Sequence, residues 1–287
     1  MPELRRNHYV PQFMLKHWAT QGPKYLGVHC YSIRESRTTF ENAKGSGAFS
    51  FASGNDLYVP EIEGERATAM EKWFSGLEDT LAVLVKQARA KTDQIRLRKA
   101  IDSTKISMAL AGLECRSRYD ICLMEEAITK TPALREVISN NPERGVRRLV
   151  LENIINGVTE RAGRLGPIEL SFLHTKRRFI CSDRPFFNSP DISHRFVILT
   201  DTCMVAYAPS ESQFRYQHVD ATDGFVDEVN KQIAMNARDW LIASDLKQLD
   251  QYISVVQSDD WKSRRASDKV ELMDIQALTS GWSIPGK

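Results

Sequence analysis

Apolar positions along the chain follow two different periods, and the places where one gives way to the other mark out its elements. From Glu63 to Ala90, Met70, Phe74, Leu77, Leu81, Leu84 and Ala88 recur at spacings of three and four, the stripe of an amphipathic helix. A second helical tract begins near Thr92-Asp93, a capping pair, and carries Ile101, Ile106, Ala109, Leu110, Leu113, Cys122, Leu123 and Ile128, with a break expected near Asp102 or Ser117. Pro132 and the Asn140-Asn141-Pro142 cluster punctuate two more helices, at about 132–139 and 143–162, the latter ending at Gly163.

Alternation takes over elsewhere. Val28, Cys30, Tyr31 and Ile33, then Arg34-Glu35-Ser36-Arg37, then Thr38-Thr39-Phe40 predict a hairpin within 24–40. Ile168, Leu170 and Phe172 alternate with polar residues, Phe179-Ile180-Cys181 is a short apolar run, and 195–199 with 203–207 flank Thr200-Asp201-Thr202 as another hairpin. Pro11 opens a short helix over 11–18. Val226 to Ala243 returns to helical spacing through Val229, Ile233, Ala237 and Trp240, and the tail from Asp259 is polar. Strands, a helical block, strands and helices in that order predict an α+β fold. Its mixed or antiparallel sheet joins amino-terminal strands to strands of the carboxy-terminal half, and the helical block of about 62–162 packs on it. The whole chain, 1–287, is read as one α+β domain with that block as a subdomain or insertion.

Composition narrows the class. The chain has 287 residues, 39 Lys+Arg against 37 Asp+Glu, 42% hydrophobic and 26% charged residues, values that exclude a disordered, collagen-like or coiled-coil chain. It has no run of 18 apolar residues, and no apolar stretch follows Met1-Pro2-Glu3-Leu4-Arg5-Arg6 in the manner of a secretion signal. The expectation is a soluble, cytoplasmic chain without membrane contact. Five cysteines without a CxxC do not make a disulfide framework or thiolate zinc site. Charge is uneven: nine basic residues stand against five acidic ones between Asn141 and Pro185, and eight against twelve from His218 onward. The first segment could meet phosphates, or be a solvated helix face and a hairpin turn.

Candidate chemistry is sparse. His8, between Asn7 and the Tyr9-Val10-Pro11 turn, would have its ring held, which suits acid–base work or metal ligation, or an anchor for the chain terminus. Glu71 and Glu78 are two turns apart on the long helix, roughly 80–100° from its apolar centre line at ~100° per residue. There they could hold a hard cation or act as acid and base, or simply bridge to arginines. Arg116 lies among Leu113, Cys115, Tyr119 and Cys122; a guanidinium cannot discharge, so it needs a carboxylate or an anionic ligand. Asp183 closes the apolar strand of Phe179-Ile180-Cys181-Ser182-Asp183-Arg184-Pro185, a position from which catalytic carboxylates project, although Ser-Asp-x-Pro is also turn chemistry. His17, His29, His174, His194 and His218 show no HxH or HExxH spacing, and phosphate loops, GxSxG, dinucleotide fingerprints and D…ExK are absent.

Asn7-His8-Tyr9-Val10-Pro11-Gln12-Phe13 followed by Leu15-Lys16, with Tyr58, Glu71, Glu78, Arg116-Ser117, the 179–185 stretch and Asn230, resembles the domain-of-unknown-function 4238 family over most of the chain. That family's SDxP usually follows Thr and often has Asn before Pro, where Cys181 and Arg184 stand here. The resemblance carries no activity. It implies that His8, Glu71, Glu78, Arg116 and Asp183 belong to one recurring pattern and meet in space.

Two functions follow. In the first, a nucleic-acid- or nucleotide-processing hydrolase, His8, Glu71, Glu78 and Asp183 are catalytic, and the three carboxylates hold a divalent cation for phosphodiester chemistry. Arg116, Tyr9 and Asn7 then bind substrate. In the second, a regulatory module, the same side chains lock the amino terminus in place and the basic 141–185 segment meets nucleic acid or a protein.

Overall fold

The computed structural model describes residues 6–45, 47–55, 58, 61–62, 65–66, 68–91, 102–140, 145–189, 194–210 and 215–268. Strand β1 (Arg6–His8) leads through Pro11 into α1 (Gln12–Leu15) and a 3-10 turn over Lys16–Trp18. Trp18 is fully buried, and its indole N–H donates to the carbonyl of Phe179 at 2.6 Å, tying the amino terminus to a segment 161 residues away. After β2 (Thr20–Gln21), the predicted hairpin forms as β3 (Leu26–Ser32) and β4 (Arg37–Asn42), and β5 (Ser53–Asn55) runs antiparallel to β1. The short strands β6 (Glu61–Ile62) and β7 (Glu65–Arg66) pair with each other, so the long helix begins later than its apolar period predicts, as α2 (Ala69–Arg89).

The break expected in the second helical tract occurs at both proposed residues, and both act as caps. Asp102 accepts from the N–H of Thr104 at the start of α3 (Ser103–Glu114), and Ser117 from that of Asp120 in α4 (Arg118–Lys130). The proposed Thr92-Asp93 start and the Asn141-Pro142 pair lie outside the described residues. Helix α5 covers Pro132–Asn140, and α6 (Val146–Leu165) runs through Gly163. It stops at Gly166, whose φ of +56° a residue without a Cβ adopts freely. Helix α3 packs against α2 and α6, and α4 against α5 and α6.

Five more strands follow α6 directly: β8 (Ile168–His174), β9 (Cys181–Ser182), β10 (Phe186–Asn188), β11 (Arg195–Thr200) and β12 (Cys203–Pro209). With β13 (Arg215–Asp220) they form one sheet, ordered β10-β11-β12-β8-β13, all antiparallel except β8 with β13; β9 belongs to the other sheet. Helix α7 (Asp223–Asn236) ends well before the predicted Ala243. Trp240–Ala243 is instead β14, every residue of it buried, and helices α8 (Leu246–Gln257) and α9 (Asp259–Ala266) follow. Strand β14 is central to the amino-terminal sheet, pairing with β3 and β9, so distant segments complete that sheet and the fold is α+β.

Candidate functional site

Asn7, His8, Glu71 and Glu78 share one open cavity of about 460 Å³. β-Pairing with β5 holds Asn7 and His8, α1 and the 3-10 turn after it supply Gln12 and Lys16, and α2 supplies Glu71, Ser75 and Glu78 at helical spacing. Helix α2 buries Met70, Phe74, Leu77, Leu81, Leu84, Val85 and Ala88, so the glutamates come out on the border of its apolar stripe. Glu71 sits in the first turn, where the helix dipole favours an acid.

Short-range bonds order this wall. Asn7 Nδ2 donates to Glu71 Oε1 at 3.3 Å. The Tyr58 hydroxyl donates to the carbonyl of His8 at 3.2 Å, and its ring stacks on Phe74 with centroids 4.1 Å apart. Burial drives the Tyr58 phenol far above its ordinary titration range, with the Arg116 guanidinium offsetting part of the effect, so it is a fixed donor. His8 Nε2 lies 3.2 Å from the carbonyl oxygen of Ala48 and 3.0 Å from Nε2 of Gln12. Those neighbours suit opposite states: a protonated nitrogen donates to the carbonyl, and a bare one accepts from the amide.

Behind the wall, Arg116 Nη1 donates to Glu78 Oε1 at 3.0 Å, which meets the expectation of a carboxylate partner. The Arg116 side chain is only 1% exposed, yet among the described residues its Nε and Nη2 have no hydrogen-bond acceptor within reach, with the Tyr58 phenol close by. Each such group costs about 1–3 kcal/mol when left unpaired.

Asp183 departs from the expected cluster. It is not in the cavity's lining. Its Oδ1 accepts the backbone N–H groups of Arg238, Asp239 and Trp240 at 3.0, 3.1 and 3.3 Å, clamping the connection from α7 into β14. Tyr9 also faces away from this cavity: its buried phenol is influenced by Arg118, Cys122 and Asp239, and burial raises its titration. A cation shared by Glu71, Glu78 and Asp183 does not fit this arrangement, because Asp183 lies outside the cavity that holds the two glutamates and Glu78 is paired with Arg116. Among the described residues, no group of three or more His, Cys, Asp or Glu is arranged to hold a metal ion.

The cavity-forming strand and helix lie within a match to a family model described as "Protein of unknown function (DUF4238)", spanning residues 6–247. The chain belongs to the DUF4238 family. No curated protein and no solved structure matches it. Among the described residues of this DUF4238 chain, no helix is long and apolar enough to cross a membrane.

Two buried networks of the DUF4238 chain were not anticipated. Glu114 accepts from the Tyr207 hydroxyl, from Arg195 at 2.7 Å and from Arg161 at 3.4 Å, with its side chain 3% exposed. Burial and the Glu114 charge together raise the Tyr207 phenol well above its ordinary value. Arg238 forks onto Asp268 at 2.5 and 3.0 Å, and Arg184 bridges Asp120 at 3.1 Å. A lone acid closing the apolar run Ile106–Leu113 was the available signal for Glu114. In the basic 141–185 segment, Arg147, Arg148, Arg161, Arg164, Arg177, Arg178 and Arg184 each pair with a carboxylate of the same chain. That segment is therefore laced with ion pairs.

Proposed function

We propose that this DUF4238 chain is a hydrolase that cleaves RNA phosphodiester bonds by acid–base chemistry in the cavity between β1 and α2. The observation that carries the reading is His8 Nε2 poised between a hydrogen-bond acceptor and a hydrogen-bond donor, so that either protonation state finds a partner and the proton can be given up or regained. Among the described residues the lining offers no group of three ligands for a cation, and a substrate that supplies its own nucleophile suits such a site. RNA does so through the ribose 2′-hydroxyl, and a diester carries a single negative charge, which together with Glu71 and Glu78 is matched by Lys16, Arg116 and a protonated His8.

In this mechanism Glu71 takes the proton from the 2′-hydroxyl and the 2′ oxygen bonds to phosphorus. The bond from phosphorus to the 5′ oxygen breaks, and that oxygen takes the proton from His8 Nε2. The products are a 2′,3′-cyclic phosphate and a 5′-hydroxyl end; a water then gives a proton to His8 as its oxygen bonds to phosphorus, the bond from phosphorus to the 2′ oxygen breaks, and that oxygen takes the proton from Glu71, leaving a 3′-phosphate and both residues in their starting states. Lys16 offsets charge on the non-bridging oxygens, and Asn7 and Arg116 position Glu71 and Glu78. Asp183 has a structural role, its Oδ1 holding three backbone donors outside the cavity.

The test is cleavage of a fluorescently labelled oligonucleotide containing one ribonucleotide, in the presence of EDTA. Cleavage at that position alone is expected, with His8→Gln and Glu71→Gln each slowing it by roughly 10²–10⁴-fold. An all-DNA strand cut equally well, cleavage only after adding Mg²⁺, or wild-type rates in folded His8→Gln protein would each rule the reading out.

A further inference from the structure

A second cavity, of about 420 Å³, lies elsewhere on the chain, and its wall is dominated by arginines. Arg34 comes from the turn between β3 and β4, Arg118 from the first position of α4, Arg238 from the loop into β14 and Arg265 from the last turn of α9. Four distant segments thus bring guanidinium groups to one hollow. Among the described residues, only Arg238 has its charge answered by a bonded carboxylate: it is buried, forks onto Asp268, and donates to the carbonyls of Met235 and Ala237.

The other three are exposed, and among the described residues none is ion-paired with a carboxylate. Arg265 lies over the rings of Tyr119 and Trp261, 5.6 and 5.3 Å from their centroids, which fixes its direction without neutralising it. Arg118 begins a helix, where the dipole disfavours a cation. Among the described residues Asp239 is the one acid in the lining, and the three guanidiniums act on it through space without a bond to it. Like charges gathered this way repel one another until an anion enters between them.

We propose that this cavity binds a phosphate or diphosphate group, held between Arg34, Arg118 and Arg265. Planar forks arriving from three directions match the tetrahedral oxygens of phosphate better than one flat carboxylate. Asp239 adds a selection while it is ionised: hydrogen phosphate can donate a proton to it near neutral pH, and sulfate cannot. The site is independent of the RNA-cleavage reading, since it shares no lining residue with the first cavity.

Binding of inorganic phosphate, pyrophosphate, ADP and sulfate is compared by calorimetry at constant ionic strength. Phosphate-type ligands are expected to bind and sulfate to bind at least about tenfold more weakly; Arg118→Gln and Arg265→Gln each weaken phosphate and pyrophosphate binding by about tenfold. Lys262→Gln, which removes a charge from the same helix as Arg265, leaves binding unchanged. ADP binding like pyrophosphate identifies the phosphate group itself as what is recognised, and tighter ADP binding identifies a nucleotide carrying it. Either supports the site. Absence of binding, sulfate binding as tightly as phosphate, or undiminished binding by the Arg118→Gln/Arg265→Gln double variant overturns it.

Discussion

Asp183→Ala is expected to destabilise the protein by about 3–5 kcal/mol, because two buried backbone N–H groups and one half-buried one lose their shared acceptor and each buried orphan costs about 1–3 kcal/mol. Asp183→Asn should behave oppositely near neutral pH. Its amide oxygen can keep the three N–H bonds, and its amide nitrogen would replace an oxygen that has no partner. Burial, reinforced by the neighbouring Asp239 charge, raises the Asp183 carboxyl to about 6, with the backbone N–H groups and Arg184 pulling the other way. The folded state therefore holds this proton more tightly than the unfolded chain does. Stability from this group is fully present below about pH 4 and is lost as pH rises to about 6. The loss is about 3 kcal/mol, two pKa units at ~1.4 kcal/mol each. The titration belongs to the Asp183–Asp239 pair, since Asp239 is raised as well. Urea unfolding at pH 4.5 and 7.5 checks this: the stability difference between wild type and Asp183→Asn should shift by about 2 kcal/mol in favour of the variant at the higher pH, since part of the loss has already occurred at pH 4.5. Parallel pH profiles for the two proteins would contradict it.

The second large effect is expected at Glu114. Glu114→Ala leaves the Arg195 guanidinium and the buried Tyr207 hydroxyl without their acceptor and should cost about 3–5 kcal/mol in denaturant unfolding. Removing charges together costs less than removing one, because the penalty lies in the stranded partner. The Glu114→Met/Arg195→Met/Tyr207→Phe variant should therefore recover much of that loss, and a triple variant less stable than Glu114→Ala would contradict the account. The effect ties α3 to the β11-β12 hairpin, elements 81 and 93 residues apart at the contacting side chains.

What the sequence made legible was local. Asp102 and Ser117 are short polar residues before apolar runs, and each caps a helix with a bond two or three residues on. The seven-residue spacing of Glu71 and Glu78 needed only the helix period, and Arg116 needed a carboxylate because its charge is permanent. Trp240 shows the limit. Val229, Ile233, Ala237 and Trp240 keep a helical spacing, but Arg238, Asp239 and Trp240 give their N–H groups to a carboxylate 55 to 57 residues earlier, and the chain leaves the helix for a strand. The same fact removed Asp183 from the predicted cluster. Ser-Asp-x-Pro serves a turn and a site with the same atoms, and which one applies depends on what the fold sets opposite it. The arginine cavity was invisible for a related reason, since its four guanidiniums come from segments with no common period or motif.

The central claim, that the space between β1 and α2 is a substrate site, is tested most directly by a crystal structure of the protein soaked with a 2′-deoxy dinucleotide, which can bind but cannot be cleaved. Density for its diester beside His8, Lys16 and Glu71 is the predicted result. A dinucleotide found only in the arginine cavity, or an unchanged His8 cavity at saturating ligand, would contradict the claim.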